Sequence, residues 1–91
     1  MNNKVYVGNL SWGTSTDTLF RVFGPFGEIE EARWLRWDAN RKNGLGLVVY
    51  RTEEPIEKVI NEMDGAQLDG KHIIVGTVQE DVLKGKRERW N

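Results

Sequence analysis

The chain has 91 residues, the size of one domain, and 38% of them are hydrophobic, which is enough for a small, well-packed core. Because the chain contains no cysteine, disulfides, thiolate metal sites and a cysteine nucleophile are excluded. The net charge is −1, whereas proteins dedicated to nucleic acid are usually basic, so general attraction to phosphate is expected to be weak. No stretch has the pattern of a signal peptide or a membrane span, and we expect a soluble, intracellular protein of the nucleus or cytoplasm.

The first half of the chain predicts two strands separated by a helix. Val5 and Val7 alternate with other residues, which indicates a half-buried strand over residues 4–9. Thr14 is a suitable N-cap for the helix that follows. The remaining features of this half are a buried helix face made of Leu19, Val22 and Phe23, a second strand over residues 28–37 and a polar turn over residues 38–42.

The second half predicts a strand, a helix and a strand. Residues 45–50 are rich in β-branched and aromatic residues, and Thr52 is a suitable N-cap for the second helix. The buried face of that helix comprises Ile56, Val59, Ile60 and Met63. With a last strand over residues 72–77, the order βαββαβ predicts an α+β, ferredoxin-like sandwich: a four-stranded antiparallel sheet with two helices on one face. We expect residues 1–78 to form this domain and residues 79–91 a charged tail with the spacing of a short helix.

Two segments carry the functional signal. Residues 5–10 read VYVGNL and residues 43–50 read NGLGLVVY. Their order and spacing resemble the two signatures of the RNA recognition motif (RRM), of which the longer reads Lys/Arg-Gly-Phe/Tyr-Gly/Ala-Phe-Val-x-Phe/Tyr. Asn43 replaces the basic first residue, and Leu45 and Leu47 replace two aromatic residues. The framework positions of the signature are kept as Gly44, Gly46, Val48 and Tyr50.

The resemblance implies that single-stranded RNA lies across the open face of the sheet, where bases stack on aromatic side chains. By the family register, the candidate RNA-binding residues on this face and around its edge are Lys4, Tyr6, Arg33, Leu35, Trp37, Arg41, Lys42, Asn43, Leu45, Leu47 and Ile74. Leucine offers dispersion and hydrophobic contact but no π face, so Leu45 and Leu47 predict an affinity for RNA that is only modest.

An apolar open face also suits a protein interface, because large exposed apolar patches usually mark contact sites. In that alternative a partner protein or a second copy of the chain binds to Leu35, Trp37, Leu45, Leu47 and Ile74. The chain is similar to the exon-junction RRM subunit, whose sheet face binds protein, in its leucine-bearing third strand and basic tail. A third covering is the tail itself, which carries Val82, Leu83 and Trp90.

The facing of two tryptophans depends on the regularity of the second strand. The family register turns Trp34 into the core and Trp37 onto the open face, while Trp12 covers a loop. A bulge in this strand would exchange the two faces, because a slip of one residue inverts the alternation of side chains. We predict that Trp37 is the functional tryptophan.

No residue pattern is typical of an enzyme or a metal site. His72 is the only histidine, which excludes a multi-histidine metal site. The Gly44-x-Gly46 pair lacks the third glycine and the following helix of a phosphate-binding loop. We therefore predict no catalytic residue, no cofactor, no bound metal and no membrane partner, and the resemblance implies a role in mRNA processing.

Overall fold

The computed structural model describes residues 2–85. Its strands and helices follow the predicted order, with a short additional helix at the end. They are β1 (Lys4–Leu10), α1 (Thr16–Phe23), β2 (Ile29–Asp38), β3 (Asn43–Tyr50), α2 (Ile56–Met63), β4 (Gln67–Leu68), β5 (Lys71–His72), β6 (Ile74–Gly76) and α3 (Gln79–Leu83). A single 3-10 turn, Gly24–Phe26, follows α1.

Four strands form one antiparallel sheet in the order β2-β3-β1-β6, and β4 pairs with β5 in a separate hairpin. The ferredoxin-like plan is thereby confirmed. The predicted last strand, residues 72–77, is divided, because His72 pairs with Gln67 in the hairpin while β6 pairs with β1. Since β2 and β6 are the edge strands, the first signature (β1) and the second (β3) lie side by side at the centre.

One face of the sheet packs against α1 and α2 and holds the hydrophobic core. Its fully buried members include Val5 and Val7 of β1, as the alternation predicts, and residues from both helices and β3: Leu19, Phe23, Val48, Tyr50 and Val59. Tyr50 donates a hydrogen bond from its hydroxyl to the carbonyl oxygen of Phe23 at 2.7 Å. The polar atom of this buried ring is thus satisfied, and β3 is tied to the end of α1.

The two helix starts differ from the predicted caps. Ser15, not Thr14, caps α1, since its hydroxyl accepts a hydrogen bond from the Thr18 amide at 3.2 Å. Thr14 is buried and donates from its own hydroxyl to the Asp69 carboxylate at 2.7 Å. The predicted cap Thr52 is also wrong, because α2 begins at Ile56, directly after Pro55, with no side-chain cap.

Candidate nucleic-acid interface

The face opposite the helices is built from alternate residues of the four sheet strands. Gly46 lies under the core, where a side chain would meet Leu10 and Leu19, so its neighbours Leu45 and Leu47 point to the open face. Tyr6 of β1 lies directly opposite Leu47 of β3, which in turn lies opposite Arg33 of β2. The sheet therefore arranges a ring, an aliphatic side chain and a guanidinium in one row across three strands.

Both leucines are nevertheless buried, with Leu45 2% and Leu47 6% exposed. The last helix, α3, packs against β1 and β6 on this side of the sheet, and its Val82 is only 2% exposed. Val82 lies over Gly8, where a Cβ atom would come within 2.5 Å of Val82 Cγ1. The first part of the predicted tail, folded as α3, thus covers this end of the open face, and Trp90 lies outside the described residues.

The uncovered part of the open face is polar and basic. Tyr6 is half-buried, whereas Lys4 and Arg33 are exposed, and Arg33 contacts the Glu31 carboxylate at 3.1 Å. Ion pairs this exposed contribute little to stability, so the Arg33 guanidinium stays available to an external anion. Ile74 lies opposite Gly8 on the same face, next to the end of α3.

A bulge in β2 decides the facing of the tryptophans. Trp34 pairs with Gly46, but the register then shifts, so that Arg36 pairs with Leu45 and Trp37 with Gly44. The extra residue is Leu35, which is half-buried. Because two residues of β2 oppose one of β3, Arg36 takes the outward place and Trp37 returns to the helix side.

The predicted place of Trp37 on the open face is therefore wrong. Its ring contacts Trp34 at a centroid distance of 6.2 Å and Trp12 at 5.1 Å, the latter in an edge-to-face arrangement of 64°. The Trp34 indole N–H donates to the carbonyl oxygen of Thr14 at 2.7 Å, which anchors this group of rings to the loop before α1. Trp34 packs against the core as predicted, so only Trp37 changes face.

A groove of about 550 Å³ lies where the open face meets α3 and the end of the β2–β3 hairpin. Its floor includes Leu45, and its walls carry Arg36, Arg41, Asn43 and Lys84. Asp38, also in the wall, contacts Arg41 Nε at 4.0 Å and accepts hydrogen bonds from two amides of the loop. An apolar floor with three cationic side chains around it matches the chemistry of a nucleotide, with an apolar base and an anionic phosphate.

The hairpin loop is held in place by a contact from outside the sheet. Lys71 Nζ donates to the carbonyl oxygen of Lys42 at 2.7 Å, and Lys42 has a left-handed backbone with φ of 55°. Lys42 and Arg41 are both exposed. Arg41 thus lines the groove, and Lys42 follows it in the hairpin loop at the edge of the open face.

One residue of the open face was missed by the sequence reasoning. Arg36 is exposed and faces Leu45, and it forms no ion pair with any residue that the structure describes. The sequence did contain an indication of its position. In a regular strand the charged Arg36 would share the buried face with Trp34, which is unfavourable, and a bulge between them turns Arg36 to the other face.

Among residues 2–85 no group of histidine, aspartate and glutamate side chains is arranged to hold a metal ion. Within the same range no helix is long and apolar enough to cross a membrane.

Comparison with known proteins identifies the family. The model of the RNA recognition motif matches residues 5–74. RNA-binding protein CP29B, chloroplastic, from Arabidopsis thaliana is 40% identical over 78 residues, which cover 85% of this chain and 27% of that protein. Glycine-rich RNA-binding protein 4, mitochondrial, also from Arabidopsis thaliana, is 38% identical over 81 residues, which cover 88% of this chain and 60% of that protein.

Solved structures give the same answer for the fold. The RRM3 domain of Mip6 superimposes with a TM-score of 0.76 at 22% identity, over 85% of this chain and 94% of that one. The RRM3 domain of Pes4 does so with a TM-score of 0.74 at 25% identity, over 85% of this chain and 92% of that one. With a family match over most of its length and the central signatures on adjacent strands, the chain belongs to the RNA recognition motif family.

Proposed function

We propose that this chain binds single-stranded RNA with modest affinity through the part of the open face that α3 leaves uncovered. The observation that carries the proposal is the half-buried Tyr6 on central strand β1, with the exposed Arg33 two strands away in the same row. Membership of the RRM family supports it, as do the names of the relatives CP29B and glycine-rich protein 4, which are described as RNA-binding.

In this proposal one base stacks on Tyr6 and the neighbouring phosphates meet cations. Neighbouring strands are about 4.8 Å apart, so the backbone of Arg33 lies about 10 Å from that of Tyr6, within reach of a phosphate beside the stacked base. Lys4 extends the positive potential at one end of the row, and Arg36 does so on the way to the groove. The groove then receives the next nucleotide, with Arg41 at its mouth.

The expected affinity follows from the number of stacking platforms. Each base stacked on an aromatic side chain contributes about 1–3 kcal/mol. Leu45 and Leu47 replace two such platforms, which lowers the binding free energy by about 2–6 kcal/mol, or about 30-fold to 10⁴-fold in affinity. Phosphate contacts therefore carry a large share of the binding, and the affinity should fall steeply with added salt.

The alternative, a protein interface on the apolar face, has less support. It was predicted from leucines expected to be exposed, but Leu45 and Leu47 have almost no exposed surface in the folded chain. Among the described residues, the exposed large hydrophobic side chains are Trp12, Phe20 and Val78, none of which lies in the row through Tyr6. A partner bound at this face would have to displace α3 first.

We also propose that the protein works in an intracellular compartment that contains RNA. The nucleus or cytoplasm, with mRNA processing as the task, is the prediction from the sequence. The names of the relatives above assign those proteins to the chloroplast and the mitochondrion. The position of a fluorescent fusion of the full-length protein in its own cells distinguishes these settings.

The test compares Tyr6→Ala, Tyr6→Phe and the unaltered chain by fluorescence anisotropy with a labelled, mixed-sequence single strand of about ten nucleotides, a length within the usual site size. Tyr6→Ala should weaken binding by about 5- to 150-fold, whereas Tyr6→Phe keeps the π face and most of the affinity. Phe20→Ala is the matched control, because Phe20 is an exposed aromatic residue on α1, away from the open face.

Equal affinities for Tyr6→Ala and the unaltered chain would contradict the proposal. A dimeric mass in solution, lost on Leu47→Asp, together with no measurable RNA binding, would support the protein interface instead.

A further inference from the structure

The three tryptophans of the described chain form one continuous edge, defined here as the tryptophan edge: Trp12, Trp37 and Trp34 in that order of contact. Trp12 is the outermost and is 73% exposed, the most exposed large hydrophobic side chain among residues 2–85. The Trp37 ring contacts it in an edge-to-face arrangement at a centroid distance of 5.1 Å. Because most of the Trp12 side chain is exposed and its ring rests against another ring, Trp12 is a stacking surface already in place.

We propose that the tryptophan edge is a second base-stacking site, outside the sheet face, for a nucleotide of the same single-stranded RNA. This inference rests on the proposed function, since it concerns RNA already held at Tyr6 and the groove. It replaces, at a different position, the stacking that the sheet face loses at Leu45 and Leu47.

The loop that carries Trp12 is held by hydrogen bonds rather than free. The Thr14 amide donates to the carbonyl oxygen of Ser11 at 3.0 Å, and the Gly13 amide donates to the Ser11 hydroxyl at 3.2 Å. The carbonyl oxygen of Thr14 accepts from the Trp34 indole, and the Thr14 hydroxyl donates to Asp69. A base that stacks on Trp12 therefore meets an ordered ring, which lowers the entropic cost of binding.

Charge favours RNA over other occupants of the tryptophan edge. The cations at this end of the molecule are Arg41, Lys42 and Lys71. Of the carboxylates at this end, Asp38 and Asp69 are hydrogen-bonded within the protein, and Asp17 lies in the first turn of α1. Five glutamates lie at the other end, where Ile29 pairs with Tyr50: Glu28, Glu30, Glu31, Glu53 and Glu54. A polyanion is thus drawn to the hairpin end, where the tryptophans lie.

The two stacking sites are joined by the bulge in β2. It turns Arg36 to the open face and the next residue, Trp37, to the helix side. Because β2 is an edge strand, no further strand separates the two sides. A strand of RNA that leaves the groove past Arg36 and Arg41 can pass around this edge and bring its next base to Trp12.

The experiment uses two labelled RNAs, one of about four nucleotides, at the lower end of the usual range of site sizes, and one of about ten, well within that range. Trp12→Ala should weaken binding of the longer RNA by about 5-fold or more and leave the shorter one unchanged. Trp12→Phe should keep most of the affinity for the longer RNA, and Phe20→Ala should match the unaltered chain for both. Equal binding of the longer RNA by Trp12→Ala and the unaltered chain overturns the inference.

Tyr6→Ala separates this inference from the function on which it rests. If Tyr6→Ala weakens both RNAs while Trp12→Ala weakens neither, the sheet site exists and the tryptophan edge is not part of it. If Tyr6→Ala and Trp12→Ala both leave both RNAs unchanged, the proposed function itself is wrong.

A spectroscopic measurement tests the stacking directly. In a titration of the isotope-labelled protein with the longer RNA, the indole N–H resonance of Trp12, assigned from Trp12→Phe, should shift strongly. The indole N–H of Trp34 is hydrogen-bonded inside the protein and should shift little, which also reports that the fold is intact. If the unaltered protein is oligomeric in solution without RNA and Trp12→Ala makes it monomeric, the tryptophan edge binds protein, and the inference is overturned.

Discussion

Replacing Gly8 by alanine should displace α3 from the open face without disturbing the sheet beneath it. The added Cβ would lie 2.5 Å from Val82 Cγ1 and 3.3 Å from the carbonyl oxygen of Val82. Gly8 is not among the residues with positive φ, so alanine is compatible with the backbone of β1 at this position. The substitution therefore acts on the contact with α3 and not on the conformation of the strand.

The magnitude follows from two opposing quantities. Carbon atoms prefer separations of about 3.5–4.0 Å, so α3 would have to move by about 1 Å, and overpacking of this kind costs about 1–3 kcal/mol. Burial of the Val82 side chain contributes about 1.5–3 kcal/mol to docking of the helix. A helix of five residues has no independent stability, so α3 depends on this contact. Because cost and gain are similar, Gly8→Ala should leave α3 undocked in a substantial fraction of molecules.

Amide hydrogen exchange measures this effect at the α3 hydrogen bonds from Val82 to Val78 and from Lys84 to Glu80. Their protection should fall in Gly8→Ala, and the free energy of unfolding in urea should fall by about 1–2 kcal/mol. Gly24→Ala is the control, because a Cβ there meets nothing within 4 Å and the backbone φ is −63°.

Adding Val82→Ala to Gly8→Ala removes the clashing methyl group, so the two substitutions should cost less together than the sum of their separate effects. If Gly8→Ala keeps α3 as protected as Gly24→Ala does, the reasoning about the contact between Gly8 and Val82 is refuted.

Three further predictions concern the core and the groove. Tyr50→Phe removes the hydroxyl that donates to Phe23, and it should lower the free energy of unfolding by about 1–2 kcal/mol in urea. Burial raises the pKa of Tyr50 well above its ordinary value, so the stability that Tyr50 contributes is present below about pH 10 and is lost as the pH rises further. A Tyr50→Phe chain should therefore lose less stability at alkaline pH than the unaltered chain. Identical profiles of stability against pH for the two chains would contradict this. Arg36→Gln should weaken RNA binding and make the slope of log affinity against log salt concentration shallower by about 1. The control Lys58→Gln, on α2, should change neither the affinity nor the slope. An unchanged slope for Arg36→Gln would show that Arg36 contacts no phosphate.

The amino-acid sequence by itself determined the order of the elements and most of the facing of the central strands. Side chains alternate along a strand, so a short pattern around Val5 and Val7 is sufficient to assign the core side of β1. Alternation also places Leu45 and Leu47 on one face of β3, and the resemblance to the RRM family turned that face outward, in agreement with the packing of Gly46 against the core. Alternation depends on neighbouring residues alone and can therefore be read from one segment at a time.

The tertiary structure decided what lies on the open face and what leaves it. A bulge at Leu35 adds one residue to β2 relative to β3, which moves Trp37 to the helix side and brings Arg36 outward. The sequence of β2 suggests that a bulge could occur, but only pairing with β3 shows that there is one and places it at Leu35, because an extra residue is defined by its pairing with another strand. Docking of α3 likewise depends on the space that Gly8 leaves for Val82, and these two residues are far apart in the sequence. Both outcomes are set by contacts between distant segments, and such contacts exist only once the chain has folded.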